Sequence, residues 1–447
     1  MKRIYNKEAF NFQKRVDSYW EASAPESLIS TTLFSDTETY DVAIIGGGFT
    51  GQNAALTLAR DYNLKVCILD AGGPGWGASG RNGGLCCMGG DKLGYEGITK
   101  KYGLASAKQY VRTQQEAIDQ VRAFCEQDKI EIDASGEGEI CLAHSAKVAS
   151  SFVAEKEEMR THFGIDSEVY DRDELKALGV VTSNNHGGLH TRLGFGLHPL
   201  KYSLGLFESC IEAGVDWFAH CEINSWQKNN GLHLLGCSEG QIRANKVICA
   251  TNGYTAENMN PELRGKLLPT MSNIIVTRPI TEDEQKAQGW TSNIMSYESL
   301  NLLHYFRLLP DGRFLFGGRG GTNAANSTLA PMQALLTKEF RVMFPAWSEI
   351  DIDYFWRGFV ALSYNLTPHI SHFNHDDSVV YAMAYHGDGV AMGSWSGKQA
   401  AKLLVGDKHD IPGFIQKPLA KFPLPFLRVF YIKGAYLGYG IQDKFLS

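Results

Sequence analysis

Glycines between an apolar run and a helical pattern are the first residues whose types and spacing could do chemistry. Residues 42–45 are apolar, and residues 52–60 predict a helix with alanine and leucine on one face. Between them, Gly46, Gly48 and Gly51 have GxGxxG spacing. In that pattern the first glycine permits a tight turn, the second lets the backbone approach a pyrophosphate, and the third lets helix pack on strand. The N–H groups that open the helix then face the phosphates.

An acidic residue follows at the distance that a ribose contact requires. Residues 65–69 predict a second strand, which ends on Asp70, about 20 residues beyond the last glycine of the turn. A glycine turn in an ordinary α/β protein is the alternative interpretation. Strand, turn, helix, strand and acid together favour a dinucleotide site, although they do not distinguish NAD from FAD.

Composition narrows the class of protein. The chain has 447 residues, 44% of them hydrophobic, and a formal net charge of -6, which predicts a globular protein with two intertwined domains. No block of lysine and arginine is present, so nucleic acid is not expected as a partner. The nine cysteines form no CxxC pair or metal-ligand cluster, so we expect reduced core thiols and no metal. The N-terminal residues lack the apolar core of a signal peptide, and no run approaches the ~20 apolar residues of a membrane span, so we expect a soluble cytoplasmic protein.

Strand-turn-helix units at both ends of the chain surround a mostly strand-like middle. Residues 104–127 predict a long amphipathic helix, and 379–404 repeat the opening strand-turn-helix pattern. The predicted fold is α/β, with a discontinuous nucleotide-binding domain and an inserted, mostly antiparallel β-sheet substrate domain. The expected boundaries are an arm at 1–39, a nucleotide-binding domain at 40–110, 165–265 and 355–408, a substrate domain at 111–164 and 266–354, and a tail at 409–447.

A second glycine-rich run points to the cofactor. Residues 77–84 read Gly-Ala-Ser-Gly-Arg-Asn-Gly-Gly, which alone could be a flexible surface loop. Together with the Gly46–Gly51 turn, Asp70, residues 250–254 and the turn at 387–389, this run resembles the FAD-dependent D-amino-acid-oxidase superfamily. The resemblance covers nearly the whole chain. It implies a Rossmann-like FAD-binding domain and is strongest to members that oxidise γ-glutamylated polyamines.

The resemblance implies that distant parts of the chain hold FAD. The implied residues are Gly46, Gly48, Phe49, Thr50 and Gly51 at the pyrophosphate, Asp70 and Ala71 at the ribose, Ala78, Ser79, Arg81, Asn82, Gly83, Gly84 and Leu85 along the ribityl chain, Ile223, Thr251 and Gly253 at the adenosine half, and Gly387, Asp388, Gly389 and Val390 at the flavin. The last helix would direct its partly positive N-terminus at the flavin. Relatives often have histidine where this chain has Asp388, and we expect that carboxylate to cap the helix rather than oppose the flavin's charge.

Attachment of the flavin is predicted to be non-covalent. Some relatives tether the ring through a cysteine in the C-terminal half, but no cysteine follows Cys249. Others use a histidine near the first glycine segments, whereas the first histidine here is His144. Cys86 and Cys87 remain an alternative attachment point, with buried free thiols as the favoured interpretation.

Amine oxidation by a flavin needs placement and charge more than a nucleophile. The candidate catalytic residues are Arg357, which could assist reoxidation, and His304 and Tyr305 as pocket residues. The candidate substrate-binding residues are Arg307, which could clamp a carboxylate, and Trp356, Tyr364 and His386, which could line an amine cage. Each has a plain alternative: an ion pair for Arg357, a surface charge for Arg307, and core packing for the histidines and aromatic residues.

The expected substrate is a γ-glutamylated polyamine such as γ-glutamylputrescine, in polyamine catabolism, with dioxygen reduced to hydrogen peroxide. An N-methyl amino-acid or glycine oxidase, or a dehydrogenase that reduces a membrane quinone, remains open, as does the oligomeric state. Basic and aromatic residues alternate over 414–445 and could lie at a membrane surface. Packing on the enzyme or across a dimer is favoured, because Gly434, Gly438 and Gly440 interrupt the amphipathic pattern.

Overall fold

The computed structural model describes residues 1–25, 32, 34, 38–89 and 93–445. Within those ranges the strands are β1 (Thr39–Ile45), β2 (Val66–Leu69), β3 (Leu85–Cys86), β4 (Glu139–Leu142), β5 (Ser167–Tyr170), β6 (Gly188–Thr191), β7 (Phe195–Gly196), β8 (Asp216–Phe218), β9 (Ser225–Asn229), β10 (Leu232–Gly236), β11 (Gln241–Cys249), β12 (Leu267–Thr277), β13 (Met295–Glu298), β14 (His304–Leu308), β15 (Phe314–Arg319), β16 (Ile352–Ser363), β17 (His369–Phe373) and β18 (Asp376–Met383). The helices are α1 (Tyr19–Ser23), α2 (Phe49–Tyr62), α3 (Gly94–Tyr102), α4 (Leu104–Gln127), α5 (Ala146–Glu158), α6 (Arg172–Ala177), α7 (Pro199–Glu212), α8 (Glu282–Gln288), α9 (Leu329–Met343), α10 (Ala391–Val405) and α11 (Arg428–Phe445).

The first sheet contains the parallel core that the sequence predicts. Its main path is β17-β18-β11-β1-β2-β8, and β1 pairs in parallel with both β2 and β11. Val42 and Ile44 pack in the same core cluster as residues of α2, α4, α7 and α10. Ala43 and Ile45 alternate with them and pack in the cluster on the opposite face. Both faces of β1 are therefore buried, which explains why its sequence is apolar almost throughout.

The second sheet has the order β16-β12-β15-β14-β13-β4-β6-β5 and is antiparallel except at the β13–β4 pair. An aromatic cluster covers one of its faces and includes Trp290, Phe306, Phe314, Phe344 and Trp347. The expected α/β class is confirmed: a parallel nucleotide-type sheet combined with a largely antiparallel one. Helix α4 also has the bounds predicted from its periodicity.

Contacts of strands and helices cross the expected domain boundaries at three places. Strands β5 and β6 fall in the 165–265 segment, yet they extend the second sheet through the β6–β4 pair. Strand β16, expected in the 355–408 segment of the nucleotide-binding domain, pairs with β12 over its whole length. Helix α4 crosses the expected boundary at 110 and packs on α10. These placements depend on contacts between distant segments, which local periodicity does not report.

The N-terminal arm packs against the second glycine-rich run, residues 77–84, as its aromatic residues predict. Trp20 is 1% exposed, and its Nε1 donates to the backbone oxygen of Asn82 at 2.9 Å. Arg3 pairs with Glu222 at 2.5 Å and lies over the Phe10 ring. Residues 26–31, 33 and 35–37 of the arm lie outside the described residues.

The tail forms helix α11, which is continuous through its three glycines. Arg428 anchors its start by pairing with Glu257 at 2.6 Å, and Ile432 is buried against the Leu268 cluster. Near its end, Asp443 accepts hydrogen bonds from the backbone N–H of Asn301 at 3.1 Å. The tail thus packs on the rest of the chain, as favoured from sequence.

The outer side of α11 is apolar and exposed. Phe430, Leu437 and Ile441 are 63%, 69% and 49% exposed. Among the described helices, none is long and apolar enough to cross a membrane.

Removing the buried indole of the arm tests how firmly the arm is attached. Trp20→Ala is expected to lower the free energy of unfolding by about 3–5 kcal/mol, because it deletes a large, fully buried side chain. Urea unfolding followed by circular dichroism measures the change. The control is Phe430→Ala on the exposed side of α11, which should change stability by no more than about 0.5 kcal/mol. Equal effects of the two substitutions would contradict the packing of the arm.

Candidate active site

The glycine turn lies at the carboxyl end of β1, where it forms part of the wall of a long cavity. Gly46 has φ +105°, and a Cβ on Gly51 would lie 1.9 Å from the Gly46 oxygen, so both positions require glycine. Helix α2 begins at Phe49 with Gly48 as its N-cap and no side-chain cap. The Phe49 N–H donates to the Ser79 hydroxyl at 3.0 Å. Phe49 and Thr50 line the cavity, so the N-terminus faces it and is partly open, as a phosphate site requires.

Asp70 holds the turn in place from the end of β2. Its carboxylate accepts hydrogen bonds from the N–H of Gly47 at 2.5 Å and of Gly72 at 2.8 Å. Burial raises the pKa of Asp70, and these two bonds act in the opposite direction. The residue lines the cavity, so its predicted contact with a ribose remains a proposal.

The cavity brings together distant segments that the sequence analysis joined only by resemblance. The predicted cofactor residues in its wall are Gly46, Gly48, Phe49, Thr50, Asp70, Ala71, Ala78, Ser79, Arg81, Asn82, Gly83, Leu85, Ile223, Thr251, Gly387, Gly389 and Val390. Gly51, Gly84, Gly253 and Asp388 are not in the wall. Gly51 and Gly84 instead permit close backbone approach, at the oxygens of Gly46 and Leu197.

Asp388 does not cap the last helix, so that expectation is wrong. Helix α10 begins at Ala391, and its N-cap is Val390, which makes no side-chain capping bond. Asp388 is buried, and the Gln114 amide of α4 lies 3.5 Å from its Oδ2. Since the helix begins three residues after Asp388, the carboxylate is outside the N-cap position.

Two buried polar atoms in the wall fit a bound dinucleotide. Arg81 lies over the Trp76 ring, and its Nε donates to the Trp76 oxygen at 2.6 Å. Its Nη2 and the Tyr254 hydroxyl are buried, with no hydrogen-bond partner among the described residues. Burial lowers the pKa of Arg81, which shows that its charge sits in an unfavourable setting. Unsatisfied buried donors are costly, so a polar ligand such as FAD suits this wall.

Beyond Gly83 the cavity reaches the second sheet, where Tyr297 and Tyr305 lie directly opposite each other on β13 and β14. The Tyr305 ring fits between two glycines: a Cβ on Gly83 would lie 2.7 Å from its Cε2, and one on Gly317 would lie 2.1 Å from its Cζ. Its hydroxyl is 2.9 Å from the Ser272 hydroxyl. Of the three candidate catalytic residues, Tyr305 is the one in the wall.

Sequence analysis missed Glu139, the first residue of β4. It is 5% exposed and lines the cavity, and a Cβ on Gly89 would lie 3.2 Å from its Oε2. Burial raises the pKa of Glu139 to about 7, although the Cys87 thiol and the N–H groups of Met88 and Gly89 lower it. The available signal was an acid at the start of an otherwise apolar strand.

Sequence analysis also missed the arm's contribution and several aromatic wall residues. These wall residues are Met1, Arg3, Phe12, Trp76, Tyr254 and Tyr297. Met1, Arg3, Phe12 and Tyr297 come from segments whose proximity to the glycine turn has no local sequence signature. Trp76 directly precedes the 77–84 run, and Tyr254 ends the 250–254 segment, so these two adjoin motifs that the sequence analysis did use.

Arg307 is not a substrate clamp, because its guanidinium is used inside the protein. It is 1% exposed, with Nε donating to the Gly83 oxygen at 3.1 Å and Nη2 to the Leu197 oxygen at 2.6 Å. Its Nη1 is 3.4 Å from the Ser135 hydroxyl. The predicted substrate-binding role is therefore wrong, and so is the surface alternative.

Two further substrate candidates lie outside the wall, and one lies in it. Trp356 donates from Nε1 to the Arg81 oxygen at 2.8 Å, so it supports the glycine-rich run from behind. Tyr364 is 51% exposed and packs on Phe422. His386 is buried and lines the cavity beside Gly387.

His304 is held between two carboxylates and is not available as a base. Its Nδ1 lies 2.6 Å from Glu298 Oε2, and its Nε2 lies 3.2 Å from Glu339 Oε2. Burial lowers the pKa of His304, but the two carboxylates outweigh burial and raise it to about 9. The side chain is thus a structural imidazolium, which replaces the predicted catalytic role.

Arg357 forms no ion pair with any described carboxylate, so the ion-pair alternative is not what the structure shows. Its Nη2 donates to the Thr328 hydroxyl at 3.1 Å, and its Nη1 is 3.4 Å from the Asn323 oxygen. The side chain is half-buried and lies outside the cavity wall, although the next residue, Gly358, lines it.

The parallel sheet, the open helix N-terminus and the cavity define a dinucleotide-binding protein. The sequence model of the DAO family, described as FAD dependent oxidoreductase, matches residues 41–403. The chain belongs to this family, and its cofactor is FAD.

Individual relatives agree with the family assignment. The chain is 31% identical to the probable oxidoreductase OrdL of Haemophilus influenzae, over 91% of this chain and 92% of that protein. It is 27% identical to the gamma-glutamylputrescine oxidoreductase of Escherichia coli, over 96% and 99%. Its fold is similar to glycine oxidase from Geobacillus kaustophilus, with a TM-score of 0.70 and 17% identity over 87% of this chain and 100% of that chain.

Changing the stacked arginine of the wall tests the cofactor site. Arg81→Lys keeps a positive charge but loses the planar fork and its stacking on Trp76, so FAD should bind about 10-fold to 100-fold more weakly. Titration of the apoprotein with FAD, followed by flavin fluorescence, measures the dissociation constant. Arg160→Lys, at an exposed surface pair, is the control. Unchanged FAD affinity in Arg81→Lys would remove this residue from the site.

The imidazolium of His304 predicts a stability that depends on pH. The folded-state pKa of about 9 exceeds the usual 6.5, so the stabilisation is complete below pH 6.5 and is lost as the pH rises through 9. His304→Gln should therefore lower the free energy of unfolding at pH 6 by up to about 3 kcal/mol and much less at pH 10. Urea unfolding at the two pH values measures this, with the exposed His162→Gln as control. An equal loss of unfolding free energy at both pH values would argue against a charged His304 paired with the two carboxylates.

Proposed function

We propose that the protein oxidises an amine, and that the amine is a γ-glutamylated polyamine such as γ-glutamylputrescine, with dioxygen reduced to hydrogen peroxide. The observation that carries the proposal is a single cavity that joins the phosphate-type turn at Gly46 to a chamber walled by Tyr297 and Tyr305. When bound, FAD supplies an acceptor for the hydride on the carbon next to the amine nitrogen. The substrate class is supported by the 27% identity to gamma-glutamylputrescine oxidoreductase over nearly the full length of both chains.

The chain's own residues place the reactants and exclude water. We propose that the open N-terminus of α2 and Arg81 hold the dinucleotide's negative charge, and that the N-terminus of α10 faces the flavin. Tyr297 and Tyr305 form an aromatic wall for the amine-bearing carbon chain. We propose that Arg357 acts as a cation near the flavin that assists its reoxidation. This role is supported by the absence of an ion pair between Arg357 and any described carboxylate.

FAD is proposed to be bound without a covalent bond to the protein. The two cysteines nearest the glycine-rich run, Cys86 and Cys87, are buried, and burial raises the pKa of both thiols well above the usual value. A thiol that stays protonated is a poor nucleophile toward a flavin ring.

A dehydrogenase that passes electrons to a membrane quinone is the second candidate. The exposed apolar side of α11, with Phe430, Leu437 and Ile441, favours it, because such a face could lie on a bilayer surface.

Anaerobic bleaching of the flavin distinguishes these functions. γ-Glutamylputrescine, putrescine, sarcosine, glycine and proline are mixed with the yellow protein, and γ-glutamylputrescine is expected to bleach it fastest. Admitting air should restore the colour with release of hydrogen peroxide. Bleaching by sarcosine or glycine alone would favour an amino-acid oxidase instead. Slow reoxidation in air, together with binding to liposomes that is lost on deletion of 428–447, would favour the dehydrogenase.

Acid precipitation tests the mode of attachment. The flavin is expected to remain in the supernatant when the chain precipitates, because no bond links the two. Absorbance of supernatant and pellet at the flavin band gives the partition. Yellow colour that stays with the pellet would contradict non-covalent binding.

A further inference from the structure

We propose that Glu139 recognises the substrate's amino group in the binding step, as the counter-ion of the protonated amine, which must lose that proton before its hydride can be transferred. This assignment rests on the proposed amine oxidation and names the residue that selects for it. Glu139 is the first residue of β4, an interior strand of the second sheet, and it lies in the wall of the chamber that also contains Tyr297 and Tyr305.

The register of the second sheet directs Glu139 and the tyrosines to the same side. Glu139 pairs with Met295 and Cys141 with Tyr297, and directly opposed residues of neighbouring strands share a face. Tyr297 in turn pairs with Tyr305. The alternate residues, such as Ile140, belong to the aromatic cluster on the other face. One face of the sheet therefore packs a core, and the other presents a carboxylate and two phenol rings.

Glu139 is buried without a cation. It is 5% exposed, it forms no salt bridge with a described lysine, arginine or histidine, and its Oε2 has no hydrogen-bond partner of good geometry in the described part of the chain. Taking a carboxylate out of water without a counter-charge is costly. A wall that nevertheless retains one is suited to a ligand that brings the positive charge.

The surroundings favour an ammonium group over a metal ion. Among the described residues, no group of three histidine, cysteine or acidic side chains is placed to hold a metal. A single carboxylate is a poor site for Ca²⁺ or Mg²⁺, which take six or more oxygen ligands or keep much of their water. Aromatic faces beside a carboxylate are instead a favourable setting for an alkylammonium ion.

The Glu155 carboxylate of α5 acts electrostatically on Cys141, beside Glu139. Three thiol and phenol groups near Glu139 stay neutral around pH 7. On the adjoining segments these are Cys87, Cys141 and Tyr297, and burial raises the pKa of each far above neutrality. Asp388 acts on the Cys87 thiol from the turn before α10. Glu298 and His190 pair with Leu142 and Ile140, so they belong to the opposite face.

The geometry fixes the direction of a pH effect. The carboxylate must be ionised to pair with an ammonium ion, and its pKa is about 7 in the free protein. Amine binding should therefore strengthen about tenfold per pH unit as the pH rises toward 7, and then level off until the amine loses its own proton near pH ~10.

Binding of tert-butylamine tests the proposal independently of which amine is oxidised. This amine has no hydrogen on the carbon next to nitrogen, so it can bind to the FAD-loaded protein but cannot be oxidised. Its dissociation constant is measured from the change in the flavin spectrum at pH 6, 7 and 8. For Glu139→Gln we expect binding at pH 8 to weaken by about tenfold or more and to lose its pH dependence over this range. Glu139→Asp should retain the pH dependence.

The controls separate recognition from a structural role. The neutral isostere tert-butanol should bind equally to the natural protein and to Glu139→Gln. Glu157→Gln, at an exposed carboxylate of α5 outside the cavity wall, should leave amine binding unchanged. The proposal would be overturned if the Glu139→Gln variant bound tert-butylamine as tightly as the natural protein does and showed only a lower melting temperature. So would equal weakening for tert-butanol, or no response of the natural protein to tert-butylamine. Failure of the proposed amine oxidation would be seen separately in the flavin-bleaching panel, because bleaching reports oxidation and the tert-butylamine titration reports binding.

Discussion

The close approach of α2 to its neighbours is the constraint on which the rest of the structure depends. A Cβ on Gly51 would lie 1.9 Å from the Gly46 oxygen, and one on Gly397 of α10 would lie 2.2 Å from the Thr50 oxygen. Helix α2 is thus pressed against both the turn before it and the helix that follows β18. Because its N-terminus must face the cavity, neither contact can relax by tilting it away. The same contact fixes α10, and the turn directly before it contributes Gly387, Gly389 and Val390 to the cavity wall.

A buried cation joins this unit to the second sheet. Arg307 extends from β14 and donates to the oxygens of Gly83 and Leu197, so it links the glycine-rich run to the strand that carries Tyr305. The Tyr305 ring then fits against Gly83 without a gap. Burial lowers the pKa of Arg307 to about 10, and the nearby Tyr19 and Asp133 act in the opposite direction. The cavity therefore has one continuous wall from the phosphate-type turn to the proposed amine chamber.

Sequence patterns predicted the features that depend on residues close together in the chain. The bounds of α4, the turn at Gly46 and the position of Asp70 follow from periodicity and spacing within a few tens of residues. The roles of Arg307 and His304 did not, because each depends on partners brought together by folding: Gly83 and Leu197 for the arginine, two glutamates for the histidine. The pairing of β5, β6 and β16 in the second sheet likewise depends on strands that are distant in the sequence. The position of Glu139 in the cavity wall could not be predicted, because a single acidic residue in an apolar strand does not indicate a binding site without the neighbouring segments.

FAD is proposed to lie in one cavity, with its flavin end at the face of the second sheet that carries Tyr297, Tyr305 and Glu139. A crystal structure of the FAD-loaded protein tests this most directly. We expect the pyrophosphate at the N-terminus of α2 and the flavin ring between Leu85, Val390 and Tyr305, with Glu139 facing the space beyond the ring. A dinucleotide bound in the reverse direction, with adenine in the tyrosine chamber, would contradict it.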